Sequence, residues 1–266
     1  MAKRSIFVED NTDTLRTRLL APFFPRYRTL RDLDREPEHL RTVLRNMMLS
    51  GDGRLLFVRN QKCACTLTAE LLYRYSTGKT PPADIHRTNK GMFAGRYRFA
   101  KIQERLYQEP PPYRFTLVRD PERRFLSAYH NFLVDQTNRA AWKHRPALTA
   151  LGHDPDRGHD WNVGVFLDYI EQTTARDPIR VDSHWRLQVH NIGYYDLTYD
   201  KIGTVENMAQ DLKEIFASGG QRTFDPTPFL ARKANKSTAG NISLTKDHQQ
   251  RLQTIYAADY EAFGYV

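Results

Sequence analysis

The stretch "LLFVRNQKCACTLTAELLYRY", residues 55–75, decides the architecture. It opens on an apolar run that reads as a strand, Leu55–Val58, and leaves as a helix with leucines at helical spacing, from about Thr66 to Tyr75. The polar turn between them carries one lysine, Lys62. A turn that enters a helix presents backbone N–H groups, and the helix dipole adds partial positive charge. Lys62 and the hydroxyl of Thr66 complete the parts of an anion site. The glycines of an ordinary phosphate loop are missing: no G-x-x-x-x-G-K-[ST] occurs here, which argues against an ATP or GTP loop and its magnesium. Alone, a lysine in such a turn is a weak signal and reads first as a solvated charge.

A second stretch repeats the plan. "FTLVRDPERRFLSAYHNF" (115–132) gives a strand at about Phe115–Val118, a turn and a helix, with Asp120 placed to serve as N-cap and Pro121 as N1. Arg119 stands at the strand's end and Ser127 two turns into the helix. A guanidinium forms paired, charge-assisted hydrogen bonds to phosphate. Two strand–helix junctions, each with a cation and a hydroxyl, suit a nucleotide bearing phosphates at two separated positions.

The rest of the chain supports an α/β reading. Residues 26–50 read as helical, and residues 143–160, polar and turn-rich, as a surface excursion. Val163, Phe166, Leu167 and Ile170 recur at helical spacing. "DKIGTVE" (200–206) reads as a strand, followed by a helix with Val205, Met208, Leu212 and Ile215 on one face; Leu252, Ile255, Tyr256 and Phe263 mark a last helix docking on the core. Strands alternating with helices predict a mostly parallel sheet. The 266 residues read as a single domain, with residues 1–53 as an N-terminal helical extension.

Composition sets limits. Hydrophobic residues are 40% and charged residues 27%, as in globular rather than disordered chains. No apolar run approaches the roughly 18–20 residues that span a bilayer. The N-terminus lacks the apolar core of a secretion signal, so a cytoplasmic enzyme is the expectation. A formal net charge of +9 favours anionic partners: nucleic acid, acidic polysaccharide, phosphate-bearing cofactors or a membrane surface. The arginines are scattered rather than gathered in a tail, which speaks against a nucleic-acid arm. The two cysteines, Cys63 and Cys65, are too close to bridge each other and too few for structural zinc; they read as small, buried, reduced side chains.

"VRNQKCACTL" (58–67) together with "VRDPERRFLSAY" (118–129) resembles the paired cofactor motifs of the carbohydrate sulfotransferase family. That family includes Golgi chondroitin-type enzymes and soluble bacterial relatives. "DSHWRLQ" (182–188), "YDKIGTVENMAQDL" (199–212) and "YAADYEAFGYV" (256–266) follow in the family's order. The resemblance implies a P-loop NTPase-like parallel sheet flanked by helices. It also implies 3′-phosphoadenosine 5′-phosphosulfate (PAPS) as sulfuryl donor, a carbohydrate or other hydroxyl-bearing acceptor, and no metal. Lys62, Cys63, Ala64, Cys65, Thr66 and Leu67 carry over as the 5′-phosphosulfate loop, with Lys62 beside the leaving oxygen. Arg119 and Ser127 carry over as the 3′-phosphate clamp. The missing membrane anchor suggests a bacterial-type soluble enzyme.

An alcohol needs a base as the new bond forms. His86, in "ADIHRTNKG", lies where chondroitin-type members place a histidine and is the first candidate. Asp182 and His184 line the acceptor side on this reading, with His184 as second candidate, its ring oriented by the carboxylate. Trp185 reads equally as a sugar platform or a core residue; Tyr75, Phe166 and Tyr256 read as core. "RKANKS" (232–237) reads either as a loop closing over the 3′-phosphate or adenine, or as a solvated charge run. His130, His144, His153, His159, His190 and His248 read as surface or structural. The loops at 76–100 and 136–160 shape the acceptor site. Sulfation of a small non-sugar alcohol, or a non-enzymatic nucleotide or nucleic-acid binding module, are the alternatives.

Overall fold

The apolar runs pair into one four-stranded sheet. Its strands are β1 (Met47–Leu49), β2 (Leu55–Val58), β3 (Tyr113–Val118) and β4 (Lys201–Thr204), side by side in that order. β1 runs antiparallel to β2, with Met47 opposite Val58; β2–β3 and β3–β4 are parallel, with Phe57 opposite Phe115 and Leu117 opposite Gly203. All four residues of β2 are buried, as expected of a strand covered on both faces. The Phe57 and Phe115 rings stack at 5.1 Å. Among the described residues, the α-helices of six residues or more are, in chain order, α1 (Leu15–Leu20), α2 (Pro25–Leu33), α3 (Glu38–Asn46), α4 (Cys65–Thr77), α5 (Pro121–Tyr129), α6 (Arg145–Ala150), α7 (His159–Arg176), α8 (Met208–Gly219), α9 (Lys246–Ile255) and α10 (Ala257–Phe263). The computed structural model describes residues 15–83, 85, 104, 108–135, 138–220, 223–230 and 242–265.

These residues fall into two compact units, each with its own core. The sheet unit takes residues 15–118 and 190–230. Its core joins Leu55, Phe57, Leu71 and Leu72 with Phe115, Leu212, Ile215 and Phe216. Gly203 lets α8 lie close against the sheet: a Cβ there would stand 2.8 Å from Leu117 and 2.9 Å from the Asp211 Cβ. The helical unit takes residues 119–189 and 242–265. Phe132, Phe166 and Tyr169 pack edge-on against Trp185, which is fully buried, and Phe125, Tyr129 and Tyr256 belong to the same core. Trp185 is therefore a core residue and not an exposed sugar platform.

Two expectations need correction. Residues 26–50 are not one helical segment. Pro37, which cannot continue a helix, stands as the N-cap of α3, and the chain leaves α3 at Asn46 to form β1. Met and Leu favour helices in isolation, and only pairing with β2 makes Met47–Leu49 a strand. Residues 143–160 are not wholly an excursion, since α6 forms there and His144 and Leu148 are buried in the helical unit's core.

Candidate active site

In the sheet unit, the turn between β2 and α4 is glycine-free yet left-handed. Lys62 has φ +66° and Ala64 has φ +54°, and no other non-glycine described residue has a positive φ. An L-residue there costs about 1–2 kcal/mol, so the conformation persists only where surrounding contacts impose it. Five hydrogen bonds do so. Asn60, fully buried, donates from Nδ2 to the Leu117 carbonyl at 3.2 Å, and its Oδ1 accepts from Asn191 Nδ2 at 3.2 Å. The Asn60 carbonyl accepts the Cys63 N–H at 3.2 Å. Cys63 is buried, and the Ala64 carbonyl accepts both the Thr68 N–H and its Oγ1–H. Left-handed residues flank Cys63 on either side, and αR–αL alternation of this kind is the backbone pattern from which the anion-binding nests of phosphate loops are built. Ala64 is also the N-cap of the 13-residue α4 and brings no capping oxygen of its own. Thr66 is exposed in the first turn of that helix.

In the helical unit, Arg119 is held through its backbone. Its N–H donates to Gln188 Oε1 at 3.0 Å, and Gln188 Nε2 donates to its carbonyl at 2.8 Å. Gln188 is fixed in turn, because the buried Asp259 carboxylate accepts the N–H groups of Gln188 at 2.8 Å and Val189 at 3.0 Å. Burial pushes the Asp259 carboxyl upward, only partly offset by Arg124 and those N–H groups. Both peptide groups flanking Arg119 are therefore anchored, and its side chain starts from a rigid base. Asp120 caps α5 as expected, accepting the Arg123 N–H at 2.8 Å with Pro121 at N1; Ser127 is half-buried farther along α5.

Asp182 gathers a second cluster in the same unit. His184 donates Nδ1–H to Oδ1 at 2.7 Å, His144 donates Nε2–H to Oδ2 at 3.0 Å, and Lys143 Nζ lies 2.9 Å from Oδ2. Burial alone would raise this carboxyl, but the bonds from His144 and His184 and the charge of Lys143 prevail and hold it well below the usual carboxylate range. Burial also pushes the His144 imidazole down. The two directions agree on one state: an ionised Asp182 facing a neutral His144 whose Nδ1 accepts the Tyr169 O–H at 2.7 Å. With Nδ1–H committed to Asp182, His184 keeps Nε2 for accepting a proton. Its half-buried ring packs edge-on to Phe132 at 4.9 Å.

Phe132 also lines a cleft of about 520 Å³, together with Arg145, Leu148, His153 and Asp154. Phe132 thus touches both the carboxylate-held histidine and a space of ligand size. Among the described residues, no group of three or more His, Cys, Asp or Glu side chains is arranged to hold a metal ion.

The structure brings Asp182 and His184 together as expected and places Lys62, Cys63, Ala64, Cys65, Thr66 and Leu67 around one turn. Cys63 and Cys65 are unbridged, the first buried and the second half-buried. His86 and residues 232–237 lie outside the described residues. His144 and His248, read as surface or structural, are both buried: His144 lies in the core bound to Asp182, and His248 at the start of α9. Sequence reasoning gave no role to Gln188 and Asp259, although both lie in segments that carry the resemblance.

A model of the sulfotransferase family matches residues 45–266, and the chain belongs to that family. It is accordingly an enzyme that transfers a sulfuryl group. The chain is similar to carbohydrate sulfotransferase 11 of Rattus norvegicus, at 22% identity over 240 residues that cover 84% of this chain and 67% of the relative. It is similar to carbohydrate sulfotransferase 14 of Homo sapiens, at 28% identity over 184 residues, 66% of this chain and 46% of the relative. Carbohydrate sulfotransferase 10 of Xenopus laevis is 24% identical over 245 residues, 84% of this chain and 68% of the relative. These are animal proteins and lend no support to the bacterial-type expectation. No solved structure matches the chain. Among the described residues, no helix is long and apolar enough to cross a membrane.

Proposed function

We propose that this chain moves a sulfuryl group from PAPS to a hydroxyl of a carbohydrate or glycan, with residues 1–266 acting as one sulfotransferase domain. The observation that carries the reading is the left-handed, glycine-free turn at Lys62 and Ala64, a nest for an anion at the start of α4. The printed names of the relatives support the carbohydrate acceptor.

On this reading backbone N–H groups at the start of α4 and the Thr66 hydroxyl hold the 5′-phosphosulfate. Lys62 neutralises the bridging oxygen as the sulfur–oxygen bond breaks, where negative charge develops and a cation lowers the barrier most. Arg119, launched from its Gln188 clamp, and Ser127 hold the 3′-phosphate. The acceptor sits in the cleft beside Phe132. Its oxygen bonds to sulfur while a histidine takes its proton. The resemblance proposes His86 for that role; the Asp182-held His184, with Nε2 for the proton, is the alternative.

Thermal stabilisation distinguishes this function from a binding module. 3′-Phosphoadenosine 5′-phosphate raises the melting temperature, whereas ATP and DNA do not. A shift with DNA alone, abolished by salt, would overturn the proposal. Labelled PAPS offered with glycans and small alcohols then identifies the acceptor. Separate His86→Ala and His184→Ala variants name the base: the one that loses turnover while still binding the donor product is assigned.

A further inference from the structure

The first helix of the sheet unit is packed inside out. Thr17 and Ala21, both small, face inward and are buried. The large apolar residues four apart on the other side face solvent: Leu15 is 73% exposed, Leu19 62% and Phe23 76%. The stripe is continuous because helical hydrogen bonding runs past α1, with Ala21 N–H donating to Thr17 and Phe24 N–H to Leu20 at 3.0 Å. Phe24, 51% exposed, extends the patch beside it and meets Tyr27 edge-on at 6.2 Å.

Every charged residue within residues 15–31 is an arginine. Residues 15–31 contain arginines at 16, 18, 26, 28 and 31 and no acidic residue; acids resume at Asp32. Arg16, Arg18 and Arg28 are exposed, and the Arg16 guanidinium lies 5.8 Å over the Tyr27 ring.

We propose that residues 15–28 are a docking face for an anionic lipid surface, holding the enzyme peripherally on a membrane. A headgroup layer with negative lipids offers both things this face asks for: an apolar layer for Leu15, Leu19, Phe23 and Phe24, and negative charge for the arginines. A nucleic acid or acidic polysaccharide would use the arginines and leave four large apolar side chains in water. A second copy docked face to face would set arginine against arginine. The inference does not rest on the proposed function.

Co-sedimentation of the full chain with vesicles tests it. Binding to phosphatidylcholine vesicles containing phosphatidylglycerol is expected to exceed binding to pure phosphatidylcholine by about tenfold, and to weaken as salt rises. Leu19→Ser with Phe23→Ser lowers that binding about tenfold. Arg16→Gln, Arg18→Gln and Arg28→Gln together lower it comparably and abolish the preference for the anionic lipid. All of these positions are exposed, so far-UV circular dichroism and unfolding midpoints stay at parent values. Equal binding to both vesicle types, binding to neither, or variants that bind like the parent would overturn the proposal. So would a concentration-dependent dimer in light scattering that Leu19→Ser and Phe23→Ser disperse.

Discussion

Ala64→Gly separates a strained turn from an ordinary one. At φ +54° and ψ +23°, Ala64 sits in the left-handed region at a cost of about 1–2 kcal/mol. Glycine removes that cost but adds about 0.5–1 kcal/mol of unfolded-state entropy. The variant should therefore be more stable than the parent by about 0.5–1 kcal/mol. Ala69→Gly, one turn further into α4 at a fully buried position, is the control. It combines about 1 kcal/mol of lost helix propensity with about 0.8 kcal/mol for one buried methyl, so it should destabilise by about 1.5–2 kcal/mol. The expected gap between the two variants is about 2–3 kcal/mol, well resolved by equilibrium urea unfolding followed by circular dichroism. The freed turn is less preorganised, so affinity for 3′-phosphoadenosine 5′-phosphate should fall about threefold to tenfold, measured by calorimetry. If Ala64→Gly destabilises as much as Ala69→Gly, the left-handed turn and the nest built on it are wrong.

Gln188→Ala removes two hydrogen bonds to the Arg119 backbone and should cost about 2–4 kcal/mol. It should also weaken binding of 3′-phosphoadenosine 5′-phosphate while leaving binding of adenosine 5′-phosphate, which lacks the 3′-phosphate, unchanged. Asp182→Asn should cost about 3 kcal/mol at neutral pH, because His144, His184 and Lys143 lose the charge they face. The folded carboxyl is depressed, so its stabilisation is present above about pH 4 and lost as pH falls through the lowered value; acid titration of stability should bring parent and variant together there. Burial depresses the His144 imidazole, so the unfolded chain binds its proton first. Stability should decline as pH drops below about 6.5, and His144→Gln should flatten that slope in pH-dependent unfolding.

The parts legible in the sequence are those fixed by neighbours in the chain. The apolar run of β2, the leucine spacing of α4, and the Asp120–Pro121 start of α5 depend on contacts within one or two turns, so strand–turn–helix units could be read directly. The ordered motifs, with Lys62, Thr66, Arg119 and Ser127 in them, were legible for the same reason. β1 was not, because three residues of helix-favouring Met and Leu become a strand only when β2 lies beside them. Nor was the backbone of Lys62 and Ala64, which glycine would have announced; neighbouring Asn60, tied to distant Leu117 and Asn191, holds that conformation. His144 reaches Asp182 across 38 residues of chain, and Asp259 reaches Gln188 across 71. Nothing in local spacing joins such pairs. The sequence by itself determined the strand–turn–helix units built on β2 with α4 and on β3 with α5, and which cations they carry, since those choices are local. Only the tertiary structure decided which buried side chains hold those cations and histidines in place, because a carboxylate or amide deep in a core chooses its partners by three-dimensional proximity.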